Sequence, residues 1–237
     1  MSVLVVSGTG AGVGKTVVAA AVAALAVDRG ADVAVVKPAQ TGAAPLDDGD
    51  VDRVMRLSGV RTTFELSRFP DALPPAAAAR ACEMPPVSMA SAARLARELA
   101  ESNRHVLVEG TGGLLDRYDE DGATIADLAR TLRAQVLVVA GAGAGTVNQT
   151  ALTLEALAHR GLDLAGVVIG RWPAEPGKAE RAAVADLEML AARPLAGVLP
   201  DGAGDLPGPE AFREVARRGL SPMLGGTFDP SAFRQTT

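Results

Sequence analysis

A glycine-rich segment near the N-terminus constrains the fold of this chain more than any other feature. A short apolar run, residues 3–6, leads into Gly8-Thr9-Gly10-Ala11-Gly12-Val13-Gly14-Lys15-Thr16, and an alanine- and valine-rich stretch follows. Glycines let successive backbone N–H groups curl around phosphate oxygens, while a lysine reaches the outer phosphates and a hydroxyl suits Mg²⁺. The order of strand, loop and helix therefore predicts a phosphate-binding loop, whose nucleotide-binding residues are Gly12, Val13, Gly14, Lys15, Thr16 and Val17.

Six apolar runs recur along the chain with helical patterns between them. They lack clear polar alternation, which is typical of parallel strands covered on both faces, and they span residues 3–6, 33–36, 106–108, 136–140, 167–169 and 197–199. Helices are predicted over residues 16–29, 50–57, 89–101, 125–132, 149–160 and 178–191. The sequence therefore predicts an α/β fold: a single-domain, doubly wound, mostly parallel sheet flanked by helices, of the phosphate-loop NTPase type.

Two segments fall outside this alternating pattern. Residues 71–86 are rich in proline and alanine and are predicted to form a surface excursion. From residue 203 the pattern weakens into glycine, proline and aspartate. We therefore assign the domain to residues 1–225, and expect the C-terminal tail, residues 226–237, to be partly disordered and without function.

Composition excludes several classes of partner. The net charge is −5 and aromatic residues make up 3% of the chain, so the basic patch and stacking platform of a nucleic-acid binder are missing. The single Cys82 excludes an internal disulfide, and no apolar stretch reaches membrane-spanning length. The apolar run before the glycine-rich loop is too short for a signal peptide. We expect a cytoplasmic protein that binds neither nucleic acid nor membrane.

A lysine follows the second predicted strand, where ligands collect in doubly wound sheets. Lysine is scarce, since 20 of the 23 basic residues are arginine, yet two of the three lysines, Lys15 and Lys37, follow predicted strands. A compact ammonium suits phosphate or carbamate chemistry better than a planar guanidinium. Taken by itself, Lys37 could equally be a surface lysine at a strand end. Its expected position next to the phosphate loop favours a functional role.

An acid and several glycines follow the third predicted strand, in Glu109-Gly110-Thr111-Gly112-Gly113. A carboxylate at this place in phosphate-loop proteins commonly meets Mg²⁺, and glycines let backbone amides approach an anion. A solvated glutamate is the less favoured alternative.

Together these motifs resemble those of dethiobiotin synthetase, the ATP-dependent ligase of biotin biosynthesis. The family pattern is Gly-Thr-x-x-x-Val-Gly-Lys-Thr, then Lys-Pro-x-x-Thr-Gly, an acid in the next loop, Glu-Gly-Ala-Gly-Gly, and Gly-Thr-x-Asn before a helix. The matching segments here are residues 8–16, 37–42, Asp50, 109–113 and 145–148, in the same order and at similar distances. The resemblance extends over about residues 1–202.

The resemblance implies a cyclo-ligase that converts 7,8-diaminononanoate, CO₂ and ATP into a cyclic urea, ADP and phosphate, through a carbamate and a phosphorylated carbamate. Implied catalytic residues are Lys37, at the carbamate, and Lys15, which assists. Thr41 is implied to hydrogen-bond the substrate or carbamate. The implied Mg²⁺ ligands are Thr16, Asp50 and Glu109. Further nucleotide-binding residues on this basis are Gly110, Thr111, Gly112, Gly170, Arg171, Pro200, Asp201 and Gly202.

Two of these assignments carry alternatives. Asp50 competes with three neighbouring acids, Asp47, Asp48 and Asp52, and is favoured because it keeps the family's distance to the apolar helix that ends at residues 57–59. In the family, the segment at Asn148 reaches the substrate carboxylate across a subunit interface, which implies a homodimer. The sequence alone favours an ordinary helix start there.

The chain also departs from the family pattern. Ala11 replaces a threonine, Thr111 an alanine and Gln149 a histidine, and the adenine-reading asparagine of the enteric branch is missing from residues 170–173. The sequence therefore does not specify the base of the nucleoside triphosphate: both ATP and triphosphates with other bases are compatible with it.

Two other functions remain open from the sequence. A partition- or septum-type switch ATPase shares the predicted fold, but such proteins usually carry a second lysine early in the loop, where this chain has Gly10. A cobyrinate-type amidating synthetase needs a glutaminase domain with a nucleophilic cysteine. Cys82 lies in an alanine- and proline-rich stretch without a nucleophile turn.

Overall fold

The computed structural model describes residues 2–236 of the protein. Its strands are β1 Ser2–Gly8, β2 Val33–Lys37, β3 Gln40–Thr41, β4 Thr62–Glu65, β5 Arg68–Phe69, β6 His105–Gly113, β7 Gln135–Ala140, β8 Leu164–Trp172 and β9 Gly197–Pro200. Its α-helices are α1 Lys15–Asp28, α2 Asp50–Ser58, α3 Pro75–Ala81, α4 Met89–Ser102, α5 Ile125–Leu132, α6 Thr146–His159, α7 Lys178–Ala191, α8 Pro209–Gly219 and α9 Pro230–Thr236.

The main sheet has seven strands in the order β4-β2-β6-β1-β7-β8-β9, and all neighbouring pairs are parallel. β1 lies at the centre, and the chain winds outward from it in both directions, with buried apolar clusters on both faces of the sheet. A small second sheet pairs β3 with β5. The predicted fold class is confirmed, and each of the six apolar runs lies within a strand of the main sheet.

Helix α1 is covered on several sides, because it packs against strands of the main sheet and against α2 and α8. Its alanine- and valine-rich sequence suits this burial. Residues 18–26 are all buried, as expected of a helix without a polar face. This packing fixes the first turn of α1, and with it Lys15 and Thr16, at the carboxyl end of β1. In the described residues, no helix is both long and apolar enough to cross a membrane.

The structure differs from the sequence-based prediction at two segments. Residues 71–86, predicted as a surface excursion, contain α3, whose Ala78 and Ala79 are buried. Alanine is the strongest helix former, and proline is tolerated in the first turn, so the composition that indicated a loop also permits this helix.

The second difference is the C-terminal tail, for which we expected partial disorder. Residues 230–236 form helix α9, and Phe228 is buried. The Phe233 ring packs edge-on against Trp172 at a centroid distance of 5.2 Å. Aromatic burial therefore orders the described part of the tail; residue 237 lies outside the described residues.

Candidate active site at the carboxyl ends of the strands

The glycine-rich loop wraps tightly between β1 and α1. Gly14 has a φ of 99°, in the left-handed region, and a Cβ there would lie 2.6 Å from the Gly170 carbonyl oxygen. Only glycine fits this combination of backbone conformation and close contact. The Lys15 ammonium folds back over the loop and donates to the Gly10 carbonyl at 2.8 Å. The loop and the start of α1 thus present backbone N–H groups and a cation to an anionic ligand.

Lys37, at the end of β2, is buried between two carboxylates. Its Nζ lies 2.8 Å from Glu109 Oε1 and 2.5 Å from Asp50 Oδ2, and it donates to the Gly110 carbonyl at 3.2 Å. Its relative exposure is 1%. A buried ammonium is costly unless it is paired, so these three acceptors explain how the charge is tolerated at this position.

Three oxygen-bearing side chains converge beside Lys37. The Thr16 hydroxyl lies within hydrogen-bond distance of Asp50 Oδ1, at 2.9 Å, and of Glu109 Oε1, at 2.8 Å. Hydroxyl and carboxylate oxygens are the ligands that Mg²⁺ prefers, and Mg²⁺ usually takes its remaining ligands from phosphate and water. Within residues 2–236 no cluster of three or more His, Cys, Asp or Glu side chains offers a protein-only metal site. The donor set at Thr16 therefore fits a Mg²⁺ that is shared with a nucleotide.

The two lysines of the site have opposite pKa shifts. Burial alone would lower the pKa of Lys37, but the Glu109 and Asp50 carboxylates raise it above its usual value. Burial, together with the Lys37 charge, lowers the pKa of Lys15 to about 8. Burial would raise the pKa of Asp50, but Lys37 and the Thr16 hydrogen bond lower it. Lys37 is thus a permanent cation, and Asp50 a permanent anion, at neutral pH.

A cleft of about 370 Å³ brings together most of the residues selected from the sequence. Its lining includes Gly12, Gly14, Lys15, Thr16, Val17, Lys37, Thr41, Asp50, Glu109, Thr111, Gly112, Gly170, Arg171, Pro200, Asp201 and Gly202. Val13 and Gly110 lie just behind the lining, against Gly170 and Lys37 respectively. Asn148 is exposed in the first turn of α6 and is not among the lining residues.

At one end of the cleft, an arginine joins the phosphate loop to the loop after β9. Arg171 Nε donates to Asp201 Oδ1 at 2.8 Å, and its Nη1 donates to the Gly12 carbonyl at 3.3 Å. Both side chains are about half exposed, so the ion pair adds little stability. Through Arg171, the loop after β9 contacts the backbone of the phosphate loop.

Three of the four neighbouring aspartates, Asp47, Asp50 and Asp52, have different partners. The Asp50 carboxylate contacts Thr16 and Lys37. Asp47 and Asp52 instead accept hydrogen bonds from the backbone amides of Ala44 and Gly49. These are turn and helix-start contacts, which an acid in a loop commonly makes.

Sequence reasoning missed two residues that support the site. Gln40 Oε1 accepts from the Asp50 amide at 2.8 Å and so fixes the start of α2. The Tyr118 hydroxyl oxygen accepts from the Thr111 amide at 2.6 Å. Gln40 has no signal of its own, because its contact depends on how the following loop folds back. Tyr118 had a weak signal, since it is the only tyrosine and buried tyrosine hydroxyls usually find a partner.

Comparison with known proteins finds relatives that are similar over almost the whole chain. The model of the AAA domain family matches residues 2–203. The ATP-dependent dethiobiotin synthetase BioD of Frankia casuarinae is 62% identical over 234 residues, covering 99% of this chain and 98% of that protein. The synthetase of the same name from Parafrankia sp. is 59% identical over 235 residues, with the same coverage.

Solved structures with the same fold are more distant in sequence. The MinC:MinD cell division protein complex of Aquifex aeolicus contains a chain with a TM-score of 0.61 and 13% identity, covering 97% of this chain and 98% of that one. Chloroplast FtsY from Physcomitrella patens has a TM-score of 0.55 and 16% identity, covering 99% of this chain and 64% of that one. At these identities the likeness extends to the fold alone, so it does not favour the septum-type switch. By its sequence over nearly its full length, the chain belongs to the AAA domain family and, within it, to the ATP-dependent dethiobiotin synthetases.

Proposed function

We propose that this site carboxylates 7,8-diaminononanoate with CO₂ and closes the ureido ring with a nucleoside triphosphate, giving dethiobiotin, the nucleoside diphosphate and phosphate. The observation that carries the proposal is the buried Lys37 ammonium, held beside the phosphate loop by Asp50 and Glu109. A regulatory ATPase has no need of a second fixed cation at the end of β2, whereas carbamate chemistry does.

In the first step, one neutral amine of the substrate attacks CO₂: a nitrogen–carbon bond forms, the electrons of one C=O π bond move to oxygen, and the amine proton passes to solvent. The product carbamate is an anion, and a nearby ammonium stabilises it. Lys37 is already protonated before the carbamate forms, because two carboxylates hold its pKa high. Thr41 lines the same cleft, and in this proposal its hydroxyl hydrogen-bonds the substrate or carbamate.

In the second step, a carbamate oxygen attacks the γ-phosphorus, and the bond from that phosphorus to the bridging oxygen of the nucleotide breaks. Charge spreads over the γ-oxygens, so catalysis depends on positioning and neutralisation. Lys15 and the amides of residues 12–17 supply both. Mg²⁺, when bound through Thr16, Asp50 and Glu109, contributes further neutralisation at the phosphate oxygens. The second amine then attacks the carbonyl carbon, closes the ring and expels phosphate.

The remaining predicted residues bind the ends of the two substrates. Gly110, Thr111 and Gly112 adjoin the phosphates, while Gly170, Arg171, Pro200, Asp201 and Gly202 bind the nucleoside. Glycine, alanine and proline make up most of the lining at that end, beside Arg171, Asp201 and Asp205, so the proposal includes nucleotides with several bases. Asn148, at the start of α6, binds the substrate carboxylate in a homodimer, because helix N-termini attract anions.

A single assay tests this function. Phosphate release is measured with nucleoside triphosphate, Mg²⁺ and bicarbonate, with and without 7,8-diaminononanoate, while mass spectrometry follows dethiobiotin. The proposal predicts phosphate release that depends on the diamine and matches dethiobiotin one for one. Diamine-independent hydrolysis without dethiobiotin would contradict it and favour the switch ATPase.

A further inference from the structure

The only tyrosine of the chain lies beneath the site, outside the residues that the proposed reaction uses. Tyr118 is fully buried in the loop after β6, and its own amide donates to the Ala123 carbonyl at 2.8 Å. Its hydroxyl oxygen accepts from the Thr111 amide at 2.6 Å. Burial raises the pKa of this phenol, so the hydroxyl is neutral at physiological pH. Tyr118 is thus a fixed acceptor that holds one particular backbone amide.

That amide belongs to the peptide unit that holds Lys37. The peptide between Gly110 and Thr111 donates its N–H to Tyr118 and accepts from Lys37 Nζ through its carbonyl, at 3.2 Å. A trans peptide is planar, and its N–H and C=O point in opposite directions. Fixing the N–H therefore fixes the direction of the carbonyl on the other side.

A second contact joins the same residue to the segment that follows Lys37. The Thr111 hydroxyl donates to the Ala39 carbonyl. The ends of β2 and β6 are therefore linked both through the Lys37 ammonium and through Thr111. Tyr118 connects this link to the loop after β6, because its hydroxyl contacts Thr111 and its own amide contacts Ala123.

We propose that Tyr118 is a positioning residue of the reaction, whose hydroxyl orients the Gly110–Thr111 peptide so that the Gly110 carbonyl holds the Lys37 ammonium. The role rests on the proposed function, since it acts through the lysine assigned to the carbamate. The alternative is a purely structural role, in which the hydroxyl only accepts a hydrogen bond from a buried amide. It would then contribute to stability and leave turnover unchanged.

Tyr118→Phe separates these two roles, because it removes the hydroxyl and keeps the ring. We expect kcat per nucleotide-binding site to fall by about tenfold, with the nucleotide KM within about twofold of wild type. The phosphate loop, residues 12–17, is not part of the link, so most of the groups assigned to the nucleotide are unchanged and only the Gly110–Thr111 peptide is affected. Titration with a non-hydrolysable nucleotide counts the competent sites, so that misfolded protein does not enter kcat.

Ser58→Ala is the matched control at a distance from the cleft. Ser58 is also buried, and its hydroxyl also accepts from a backbone amide, that of Val60 at 3.1 Å. We expect this variant to lower Tm while leaving kcat unchanged. If Tyr118→Phe likewise lowers Tm with kcat unchanged, the positioning role is overturned.

Uniform incorporation of 3-fluorotyrosine gives a second route if the phenylalanine variant does not fold. Because the chain has one tyrosine, only residue 118 changes. Fluorine weakens the phenol oxygen as an acceptor at almost constant shape, so we expect kcat to fall by about twofold. An unchanged kcat would overturn the role. Wild-type protein that makes no dethiobiotin would instead overturn the proposed function, and the positioning role with it.

Discussion

Two lysines of the same site are given different properties by their surroundings. Lys37 contacts two carboxylates, and its pKa rises, whereas Lys15 is bound to the Gly10 carbonyl and its pKa falls to about 8. A permanent cation suits an anionic intermediate that must form at the site. A cation bound only to a neutral carbonyl is free to exchange that partner for phosphate, which is a stronger acceptor. The two lysines are therefore suited to two successive steps.

Asn148 tests the assignment of the substrate carboxylate. It lies in the first turn of α6, whose N-cap Gly145 provides no side-chain acceptor for the helix amides. An anion bound there interacts equally with Asn148 before and during the reaction, so Asn148→Ala should raise the diamine KM by about tenfold and lower kcat by less than about twofold. Steady-state kinetics measures both constants.

Glu155→Gln is the control on the same helix, since Glu155 is exposed two turns beyond Asn148. The diamine KM and the kcat of Glu155→Gln should both match those of the wild type. A fall in kcat without a change in KM in Asn148→Ala would contradict carboxylate binding.

At the scale of elements, the helix starts around the site differ in how they are capped. α1 and α6 begin at glycines in the left-handed conformation and have no side-chain cap. α5, which packs behind the site, has a complete capping box: Thr124 Oγ1 accepts from the Asp127 amide, and Asp127 accepts from Thr124. The uncapped starts of α1 and α6 leave N–H groups available to an anion, while the start of α5 is closed by its own side chains.

The capping box of α5 gives a stability prediction. Thr124→Ala should lower the free energy of unfolding by about 1 kcal/mol at neutral pH, because it removes the acceptor for the Asp127 amide. Nucleotide affinity should not change. Urea denaturation of the two proteins measures the difference, and equal stabilities would contradict the assigned cap.

The same variant has a defined pH dependence. Burial would raise the pKa of Asp127, but its hydrogen bonds from Thr124 and the nearby Arg130 lower it in the folded state. A lowered carboxyl pKa contributes stability above the unfolded pKa, about 4, and that stability is lost as pH falls through the folded value. The difference between wild type and Thr124→Ala should therefore shrink below about pH 4.

At the scale of the whole molecule, the site forms where strands from separate parts of the chain end together. Lys15 follows β1, Lys37 ends β2 and Glu109 lies within β6, and these three strands are neighbours in the sheet. Parallel strands place such residues at one edge, so the apolar runs and the polar residues after them predicted that these three side chains lie together, whereas Thr41, Asp50 and residues 170–171 and 200–202 were implied by the family resemblance. The described tail contributes from further away, by packing Phe233 on Trp172, next to Arg171.

What the sequence could not predict depends on chain paths between strands. Gln40 reaches Asp50 only because the intervening loop folds back, and Tyr118 reaches Thr111 by a similar return. The edge strand β4 was not predicted from the sequence, because its residues, Thr-Thr-Phe-Glu, are mostly half exposed and form no apolar run. Periodicity reports burial within an element, and it carries no information on contacts made by irregular segments.

In the proposed mechanism, Lys37 acts on the carbamate and not on the nucleotide. Lys37→Gln tests this role, with nucleotide affinity measured by calorimetry and turnover by dethiobiotin formation. We expect a nucleotide Kd within about threefold of wild type and a loss of turnover of at least about a hundredfold, since the carbamate loses its fixed cation. Unchanged turnover would remove Lys37 from the mechanism, and a matching loss of nucleotide binding would assign it to the phosphates instead.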